Sequence, residues 1–543
     1  MPSIEPAVRQ VEKIRAKSII SGILDKTFLD LSEAANPLRF IEQAAVKIHR
    51  ELFMEFVDRC RDYEPLRATI GDVSGLTMGR QLLTNDVELL KEAMSTGAEI
   101  GFNIGNNDPF ESRFSNLAKD LALDPNGETY KRVSKRVDTL KKKAWNEGEA
   151  LDSYDTTSQG SVESRKIFAS QAESLGFAET KVAKTTEEPN NVWFADGGMG
   201  ALNRTWRTLN SLYWHNEKRH ANLLAPSVCF KMAINSADQH LMNVNTVKVD
   251  DLPNQELTAE RLRNYLDSGN PMPDVLYLTP ADNPTARSVD PIKFKELLLE
   301  AKKANPNIVF VFDMAYMKLI PESKAKEITK AITESGAEKQ AIFAWSDSKR
   351  LGRPRARFGA AIIYEGIKFL DAEDGKEKGL QEFFQKDATR CFPSYNIDSD
   401  LIYQALNQEI DQTVLFQYNE LLRQRQRALL EVLSDLDPKR EYFKNLDSIV
   451  ILDENGEIPE ELPDNASIQD VPLYLWPEVN HNPAKNEFLR KCFDIFKDEE
   501  IIGAPGTIFG DPNHMRFSLG VISTFDILKK SPKALARWIN KNN

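Results

Sequence analysis

Cysteine is scarce in this chain, and long apolar runs are missing. Four cysteines stand far apart, without any CxxC or CxxH spacing: Cys60, Cys229, Cys391 and Cys492. This scatter argues against a disulfide framework or a zinc site, and it favours buried free thiols. No apolar run approaches the ~20 residues of a membrane span. The amino terminus, MPSIEPAVRQVEKIRAK, lacks the apolar core of a signal peptide, so we expect a cytoplasmic protein without a membrane partner.

Positive charge is not in excess either. Asp and Glu number 82 against 70 Lys and Arg, which gives a formal net charge of −12 and a pI of about 5.3. This balance argues against nucleic acid or an anionic membrane as the main partner. A basic face over residues 131–143 is interpreted as a solvated helix whose charge is balanced by acids nearby.

The chain is too long for a single hydrophobic core. With 543 residues, 41% of them hydrophobic, it is expected to form two or more domains. Between Tyr154 and Tyr364, helical stretches alternate with short apolar runs, at 275–278, 308–312, 341–345 and 360–363. Such runs are typical of strands covered on both faces. Helical connections such as 291–304 then predict βαβ units and an α/β fold with a mostly parallel sheet.

The last third of the chain has a different pattern. Apolar residues recur every four positions: Ile402, Leu406, Ile410, Val414, Tyr418 and Leu422. This spacing predicts one helix over about 398–434 that bridges two domains. Beyond it, 435–543 alternates shorter strand and helix signals. The acidic, turn-rich stretch 453–465 is predicted to be an inserted surface loop.

A lysine follows one of the predicted strands in the run SDSKRLGRPRARFG, which covers 346–359. Ligands meet open α/β sheets at the carboxyl ends of their strands. A lysine beside two hydroxyls, with an arginine eight residues on, can supply an amine nucleophile for a carbonyl and donors for a phosphate. Pyridoxal phosphate needs both. The alternative is a solvated basic loop, because five cations fall within nine residues.

Three further loops after predicted strands carry groups that could bind a cofactor. Asp313 ends the strand at 308–312 and could pair a pyridine nitrogen, or merely cap a helix. Asn283, after the strand at 275–278, could bind a ring hydroxylate together with Tyr316, although Asn before Pro is also a common turn. Gly198, Met199 and Gly200 open a predicted helix whose N–H groups could cradle a phosphate, although a lone glycine cluster is weak support.

Taken together, these motifs resemble the class I/II aminotransferases of the fold-type I pyridoxal phosphate enzymes. The resemblance rests on a GxGAL-like run at 198–202, NPT at 283–285, DxAY at 313–316 and SxSKxxGxxxxRxG at 346–359. It covers roughly 150–365 well and 485–525 moderately. It implies a three-layer, aspartate aminotransferase-like sheet in a large domain, with a smaller α+β domain built from both chain ends.

The resemblance also implies domain bounds and a cofactor. Residues 1–150 would form a helical arm and part of the small domain, 151–395 the large cofactor-binding domain, and 396–543 the bridging helix and the rest of the small domain. The cofactor would be pyridoxal 5'-phosphate. Lys349 would form its Schiff base and later move the α-proton, a role for which burial and neighbouring charge must lower the lysine pKa.

Other roles follow from the same resemblance. Asp313 would pair the pyridinium nitrogen, Asn283 and Tyr316 would hold the ring hydroxylate, and Ala315 would lie against one ring face. The phosphate would be held by Ser346, Ser348, Arg357 and the amides of Gly198, Met199 and Gly200. Arg516 would bind the substrate α-carboxylate in a bidentate fork; the alternative is a surface arginine on an edge strand.

Two assignments reach the amino-terminal part of the chain. Tyr154 resembles the tyrosine that reaches the phosphate of a neighbouring subunit, which implies a homodimer with shared sites. Gly71 resembles a mobile segment that closes over substrate, or it is an ordinary turn glycine.

The chain departs from the family pattern at three places. Ala286 replaces the glycine after NPT, and Arg355 replaces a glycine three residues after Gly352. Arg355 is therefore left without a role, like Arg350 and Arg353. Val228 takes the position where the ring-stacking aromatic is usual, which leaves Phe230 as the candidate.

Three functions are compatible with these motifs. The first is an aminotransferase that exchanges an amino group between an L-amino acid and a 2-oxo acid in amino-acid metabolism, as part of a biosynthetic process. The second is an amino-acid decarboxylase or lyase of the same fold, because the long amino-terminal region also resembles aspartate 4-decarboxylases. The third, a cofactor-sensing regulator, needs a basic helix-turn-helix before residue 70 that the sequence lacks.

Overall fold

The fold is given by a computed structural model, which describes the chain from residue 108 onward with gaps. The described residues are 108–122, 124–146, 159–184, 188–251, 254–353, 356–371, 374–391, 397–453, 455–463, 465–482, 488, 491–492, 495, 503–520 and 522–542. Tyr154, Gly71 and Arg355 lie outside them, and so do most of the predicted domain 1–150 and most of 485–502.

A seven-stranded sheet forms the centre of the molecule. Its strands are β1 Val192–Asp196, β2 Asn222–Pro226, β3 Asn243–Val247, β4 Val275–Leu278, β5 Val309–Asp313, β6 Ala341–Ser346 and β7 Phe358–Ile363. Their order is β1-β7-β6-β5-β4-β2-β3. Only β7 of this sheet runs antiparallel to its neighbours, β1 and β6. The four strands predicted from apolar runs are confirmed to within two residues, and so is the mostly parallel α/β fold.

Alternate residues of every strand except the edge strand β3 enter two different cores, which explains the apolar runs. On β5, Phe310 and Phe312 join one core, while Val309 and Val311 join the other. A strand buried on both faces has no polar face, so its sequence shows no alternation. Helices cover both faces and make three layers.

The helices of the described part are as follows. They are α1 Leu117–Asp120, α2 Glu128–Asn146, α3 Val162–Ser174, α4 Gly197–Glu217, α5 Lys231–Gln239, α6 Ala259–Asp267, α7 Pro291–Ala304, α8 Glu322–Glu334, α9 Leu380–Cys391, α10 Ile397–Glu409, α11 Gln412–Leu436, α12 Thr524–Leu528 and α13 Pro532–Asn542. Helices α3, α7 and α8 pack on one face of the sheet, and α4, α5 and α9 on the other. No helix in this described part is long and apolar enough to cross a membrane.

A third core lies in the carboxyl-terminal part of the chain. The described residues after the central sheet also include seven short strands, of which only some contribute to this core. They are β8 Lys368–Leu370, β9 Glu377–Gly379, β10 Ile449–Ile451, β11 Ser467–Gln469, β12 Tyr474–Leu475, β13 Ala504–Pro505 and β14 Met515–Ser518. β12, β14 and β13 form a three-stranded antiparallel sheet, and β10 pairs with β11 in parallel. Phe110 joins this core beside Trp538, so the described beginning and the end of the chain pack together.

The predicted single helix over 398–434 is wrong, because the structure has two helices there. α10 ends at Glu409, and Asp411 takes an extended conformation. The Asp411 side chain accepts a hydrogen bond from the backbone N–H of Thr413 and so caps α11. Apolar spacing continues across this break and conceals it. The first half of α11 packs in the sheet's core and its second half packs in the third core.

Two amino-terminal features are tied to the rest of the chain by charge. The basic stretch 131–143 lies in α2, where Arg132 and Lys141 pair with Glu409 and Asp398 of α10. This agrees with a helix whose charge nearby acids balance. Glu111 forms a fully buried ion pair with Arg425 of α11, at 2.8 Å. The loop 453–465 contains neither helix nor strand among its described residues, as expected.

Candidate active site

The start of α4 and the run after β6 lie side by side because of strand order. β7 pairs with both β1 and β6, so Gly359 lies opposite Ala195 on one side and Ser346 on the other. A Cβ atom at Gly359 would come within 2.3 Å of the Gly197 backbone. Only glycine permits that approach. This contact explains the last glycine of the run SDSKRLGRPRARFG.

The predicted phosphate ligands gather at this approach. A Cβ on Gly198 would lie 3.2 Å from the Cβ of Ser346, and one on Gly197 would lie 3.5 Å from Nε of Arg357. Burial lowers the pKa of Arg357, and Asp196 opposes that shift. Ser346 and Ser348 both donate to the carbonyl of Phe358, at 3.3 and 3.4 Å. The Arg357 guanidinium, the two serine hydroxyls and the first N–H groups of α4 therefore lie close together.

Asp313 lies at the carboxyl end of β5 and is buried. The N–H of Ala315 donates to its Oδ1, and the hydroxyl of Tyr277 donates to its Oδ2, both at 3.1 Å. Burial raises the pKa of Asp313 to about 6, although these two hydrogen bonds pull it down. It caps no helix, since the chain continues into a turn. A buried carboxylate held by neutral donors is stabilised when a cation approaches.

Asn283 and Tyr316 are in contact, as their predicted shared role requires. Nδ2 of Asn283 donates to the hydroxyl of Tyr316 at 3.1 Å. Nη1 of Arg516 donates to Oδ1 of the same asparagine at 2.5 Å. Arg516 is almost fully buried in β14, so the alternative of a surface arginine is wrong.

Lys349 lies half-buried in a turn directly after β6. The loop around it is not a solvated basic run in its described part, because Arg350 is buried and pairs with Asp347 at 2.5 Å. Burial opposes ionisation of Asp347, but Arg350 and the donors Tyr403 and Gln171 outweigh it and lower its pKa. Nη2 of Arg353 donates to the carbonyls of Leu121 and Ala122. Arg350 and Arg353, left without a role by the sequence, thus fasten the lysine loop.

The NPT turn contains two features that the motif alone did not reveal. Asp282 is partly buried; the loss of solvation raises its pKa to about 7, although the hydrogen bond that its Oδ2 accepts from Oγ1 of Thr285 at 3.0 Å lowers it. Ala286 has a φ of 60°. This left-handed conformation costs an alanine more than a glycine, and it explains why glycine is usual there.

Phe230, Val228 and Met199 lie near this region but in different cores. Phe230 and Met199 are partly buried against the core that contains α4, whereas Val228 belongs to the core on the other face. The N–H of Cys229 donates to the carbonyl of Phe509 at 3.1 Å, which joins this loop to the segment before Arg516. Ring stacking by Phe230 stays a prediction.

Three residues around the site were missed in the sequence: Tyr277, Tyr474 and Phe509. Tyr277 is inside an apolar run that reads as core. Tyr474 and Phe509 belong to the carboxyl-terminal part, and only the fold brings them to Arg516, whose Cζ lies 4.6 Å and 4.4 Å from their ring centres. No local motif marks either position.

The donor set fits pyridoxal phosphate. A phosphate needs cations, hydroxyls and free amides, and these lie between α4 and β7. A protonated pyridine nitrogen needs a buried carboxylate, which Asp313 supplies at a neighbouring strand end. A lysine follows the strand between them. In the described part of the chain, no group of three His, Cys, Asp or Glu side chains could hold a metal ion.

The fold and these residues define an α/β protein that places phosphate-type donors, a buried carboxylate and a lysine at the ends of its strands. The sequence model of the aminotransferase class I and II family matches residues 146–526, and the chain belongs to that family. It is therefore a transaminase, and members of the family use pyridoxal phosphate. No curated protein sequence is significantly similar to it.

Solved structures agree on the fold. The aspartate aminotransferase from Thermus thermophilus is 17% identical, with a TM-score of 0.50, over 74% of this chain and 87% of that chain. An archaeal alanine:glyoxylate aminotransferase is 16% identical, with a TM-score of 0.51, over 85% and 96%. The aromatic aminotransferase from Pyrococcus horikoshii is 14% identical, with a TM-score of 0.51, over 78% and 99%. At such identities the likeness establishes the fold alone.

Proposed function

We propose that this enzyme exchanges the amino group between an L-amino acid and a 2-oxo acid, with pyridoxal phosphate held covalently by Lys349. The observation that carries the proposal is the buried Arg516, whose guanidinium meets Asn283 beside the turn that holds Tyr316. A buried guanidinium at this position suits a carboxylate, the group that both substrates share. The lysine loop follows β6, and Asp313 is the last residue of the neighbouring strand β5.

The chain's own residues would divide the work as follows. Arg357, Ser346, Ser348 and the amides of Gly198 to Gly200 hold the phosphate. Asp313 keeps a negative charge opposite the ring nitrogen, and Asn283 and Tyr316 hold the ring oxygen. When bound, pyridoxal phosphate supplies the electron sink for the charge that develops at the substrate α-carbon. Arg516 would fix the substrate by its carboxylate, and the amine of Lys349 would accept the α-proton and later donate it.

The homodimer is part of this proposal. It is supported by the resemblance of Tyr154 to a residue that serves the neighbouring subunit, and Gly71 is kept as a candidate over the substrate. A cytoplasmic location and a role in amino-acid biosynthesis stay predictions.

A screen with single amino acids tests the reaction. The wild-type enzyme, mixed with one amino acid and no oxo acid, is expected to lose its visible band as the cofactor takes up the amino group, and to yield the matching 2-oxo acid in equal amount. Adding a 2-oxo acid should restore the band, because a ping-pong exchange has two separable halves. Carbon dioxide release from aspartate without loss of the band would instead identify a decarboxylase.

Cofactor binding should depend on the charge of Asp313. Burial raises the pKa of this carboxyl to about 6. Below that pH the carboxyl takes up a proton and loses the charge that pairs with the ring nitrogen, so affinity of the apoenzyme for pyridoxal phosphate should fall as the pH drops through 6. Equilibrium titration across this range measures it. Asp313→Asn should bind weakly throughout and lack that inflection; an unchanged inflection in Asp313→Asn would contradict the assignment.

A further inference from the structure

Four buried side chains close a ring of contacts around the proposed substrate position. Arg516 donates to Oδ1 of Asn283 at 2.5 Å, and Nδ2 of Asn283 donates to the Tyr316 hydroxyl at 3.1 Å. The Tyr316 hydroxyl lies 3.0 Å from the Tyr474 hydroxyl. The ring of Tyr474 then returns to Arg516, whose Cζ lies 4.6 Å from the ring centre. Tyr474 is the one member of this ring without a role so far.

Tyr474 is fixed by the small antiparallel sheet. It lies opposite Ser518 in the pairing of β12 with β14, and Nε2 of Gln426 on α11 donates to its carbonyl at 2.6 Å. Its relative exposure is 0%. Tyr316, by contrast, lies in the turn after β5 of the central sheet. The contact between the two hydroxyls therefore connects the carboxyl-terminal sheet with the cofactor side of the site.

Proton counting gives this contact a direction once a cofactor is bound. A tyrosine hydroxyl has one proton to donate. If the Tyr316 hydroxyl donates its proton to the cofactor's ring oxygen, the hydrogen bond between the two tyrosines must be donated by Tyr474. A hydroxyl that accepts a hydrogen bond becomes a stronger donor itself. The Tyr474 hydroxyl would thus strengthen the hold of Tyr316 on the ring oxygen.

The ring of Tyr474 has a second use. Arg516 lies between this ring and that of Phe509, whose centre is 4.4 Å from Cζ. Guanidinium groups are attracted to aromatic faces, and these contacts strengthen when water is excluded. Two rings around a planar fork restrict its rotation before a carboxylate arrives, which reduces the entropy lost on binding.

We propose that Tyr474 is a positioning residue with two separable actions: its hydroxyl supports Tyr316 against the cofactor ring, and its ring orients Arg516 for the substrate carboxylate. This inference rests on the proposed function, since it requires the cofactor and a carboxylate substrate at this site. It assigns to the carboxyl-terminal sheet a part in tuning the cofactor as well as in binding substrate.

Two variants of the holoenzyme separate the actions. Tyr474→Phe keeps the ring and removes the hydroxyl; Tyr474→Leu removes both. With a weaker donor, the ring oxygen's negative charge would be less stabilised, so Nζ of Lys349, once joined to the cofactor, would keep its proton to higher pH. We expect both variants to raise the pH midpoint of the cofactor's visible absorption change by ~0.5–1 pH unit. KM for the amino acid should stay within ~2-fold in Tyr474→Phe and rise ~10-fold in Tyr474→Leu, since a cation–π contact is lost there.

Tyr364→Phe is the matched control. The Tyr364 hydroxyl is also buried and bonded, to Thr180 at 3.0 Å, but Tyr364 follows β7 near the start of β6, at the opposite end of the strands from the site. This variant should keep the wild-type midpoint and KM. A wild-type midpoint in Tyr474→Phe would overturn the inference while leaving the proposed function intact, whereas a wild-type enzyme without any titrating visible band would overturn the proposed function itself. Because Tyr474→Phe preserves shape, it decides the matter even if Tyr474→Leu does not fold.

Discussion

Lys349→Ala is expected to abolish the visible absorption band of the holoenzyme and to lower the transamination rate at least ~10³-fold. The amine is assigned both the covalent attachment of the cofactor and the transfer of the α-proton, and removal of a positioned general base alone costs up to ~10⁴-fold. Absorption spectra after cofactor addition, and single-turnover rates with an amino acid, measure the two effects. Pyridoxal phosphate should still bind without the covalent bond, because its phosphate ligands are elsewhere.

The control is Lys330→Ala, which removes an exposed lysine from α8 that only approaches Glu334 at 3.7 Å. It should match the wild type in band, rate and thermal unfolding. A Lys349→Ala protein that keeps the visible band would show that another amine holds the cofactor. A lost band with a rate like that of wild type would separate the two roles and refute the second.

The central fold was predictable because each of its signals is local. Strands buried on both faces have uninterrupted apolar sequences, as in Phe310 to Phe312. Asp290, followed by Pro291, marks the start of α7. The break between α10 and α11 was not predictable from periodicity, because Ile410 and Val414 keep the helical spacing across it. A single cap by Asp411 decided the chain's path there.

The residues of the candidate site also divide into those that a local sequence signal indicates and those that it does not. Residues at strand ends could be inferred together, since parallel strands end at one edge of a sheet. Tyr474 could not, because its contact with Tyr316 spans 158 positions of the chain and depends on how two sheets pack. Arg350 was left without a role for another reason: the sequence does not show that its guanidinium is buried and contacts both Asp347 and Asn407.

Ala286 shows how a departure from a family motif can be tolerated. Its left-handed backbone is held at both sides, since the N–H of Val471 donates to its carbonyl at 3.0 Å and the N–H of Asp282 donates to the carbonyl of the adjacent Arg287 at 2.8 Å. The backbone is over-determined by contacts with the carboxyl-terminal part, which offsets a strain of about 1 kcal/mol. The loop therefore keeps Asn283 in place without the usual glycine.

Arg516→Lys is expected to raise KM for the amino acid and for the 2-oxo acid by ~30- to ~150-fold, with a smaller effect on kcat. Lysine keeps the charge but lacks the planar fork, and a damaged buried charge pair costs about 2–3 kcal/mol. Since the carboxylate is bound equally before and during the reaction, most of the loss belongs in KM. Steady-state kinetics with both substrates measure it.

The preference for an amino acid over the corresponding amine tests the role of Arg516 most directly. The wild-type enzyme should prefer an amino acid strongly over the corresponding amine without a carboxylate, and Arg516→Lys should lose much of that preference because only the carboxylate contact is weakened. Arg537→Lys is the matched control. Arg537 lies on the exposed face of α13 and pairs with Asp435 of α11. This variant should leave both KM values and the preference unchanged. If Arg516→Lys raised KM for amine and amino acid alike, the residue would support the shape of the site instead of binding the carboxylate, and the substrate class would have to be argued from another cation.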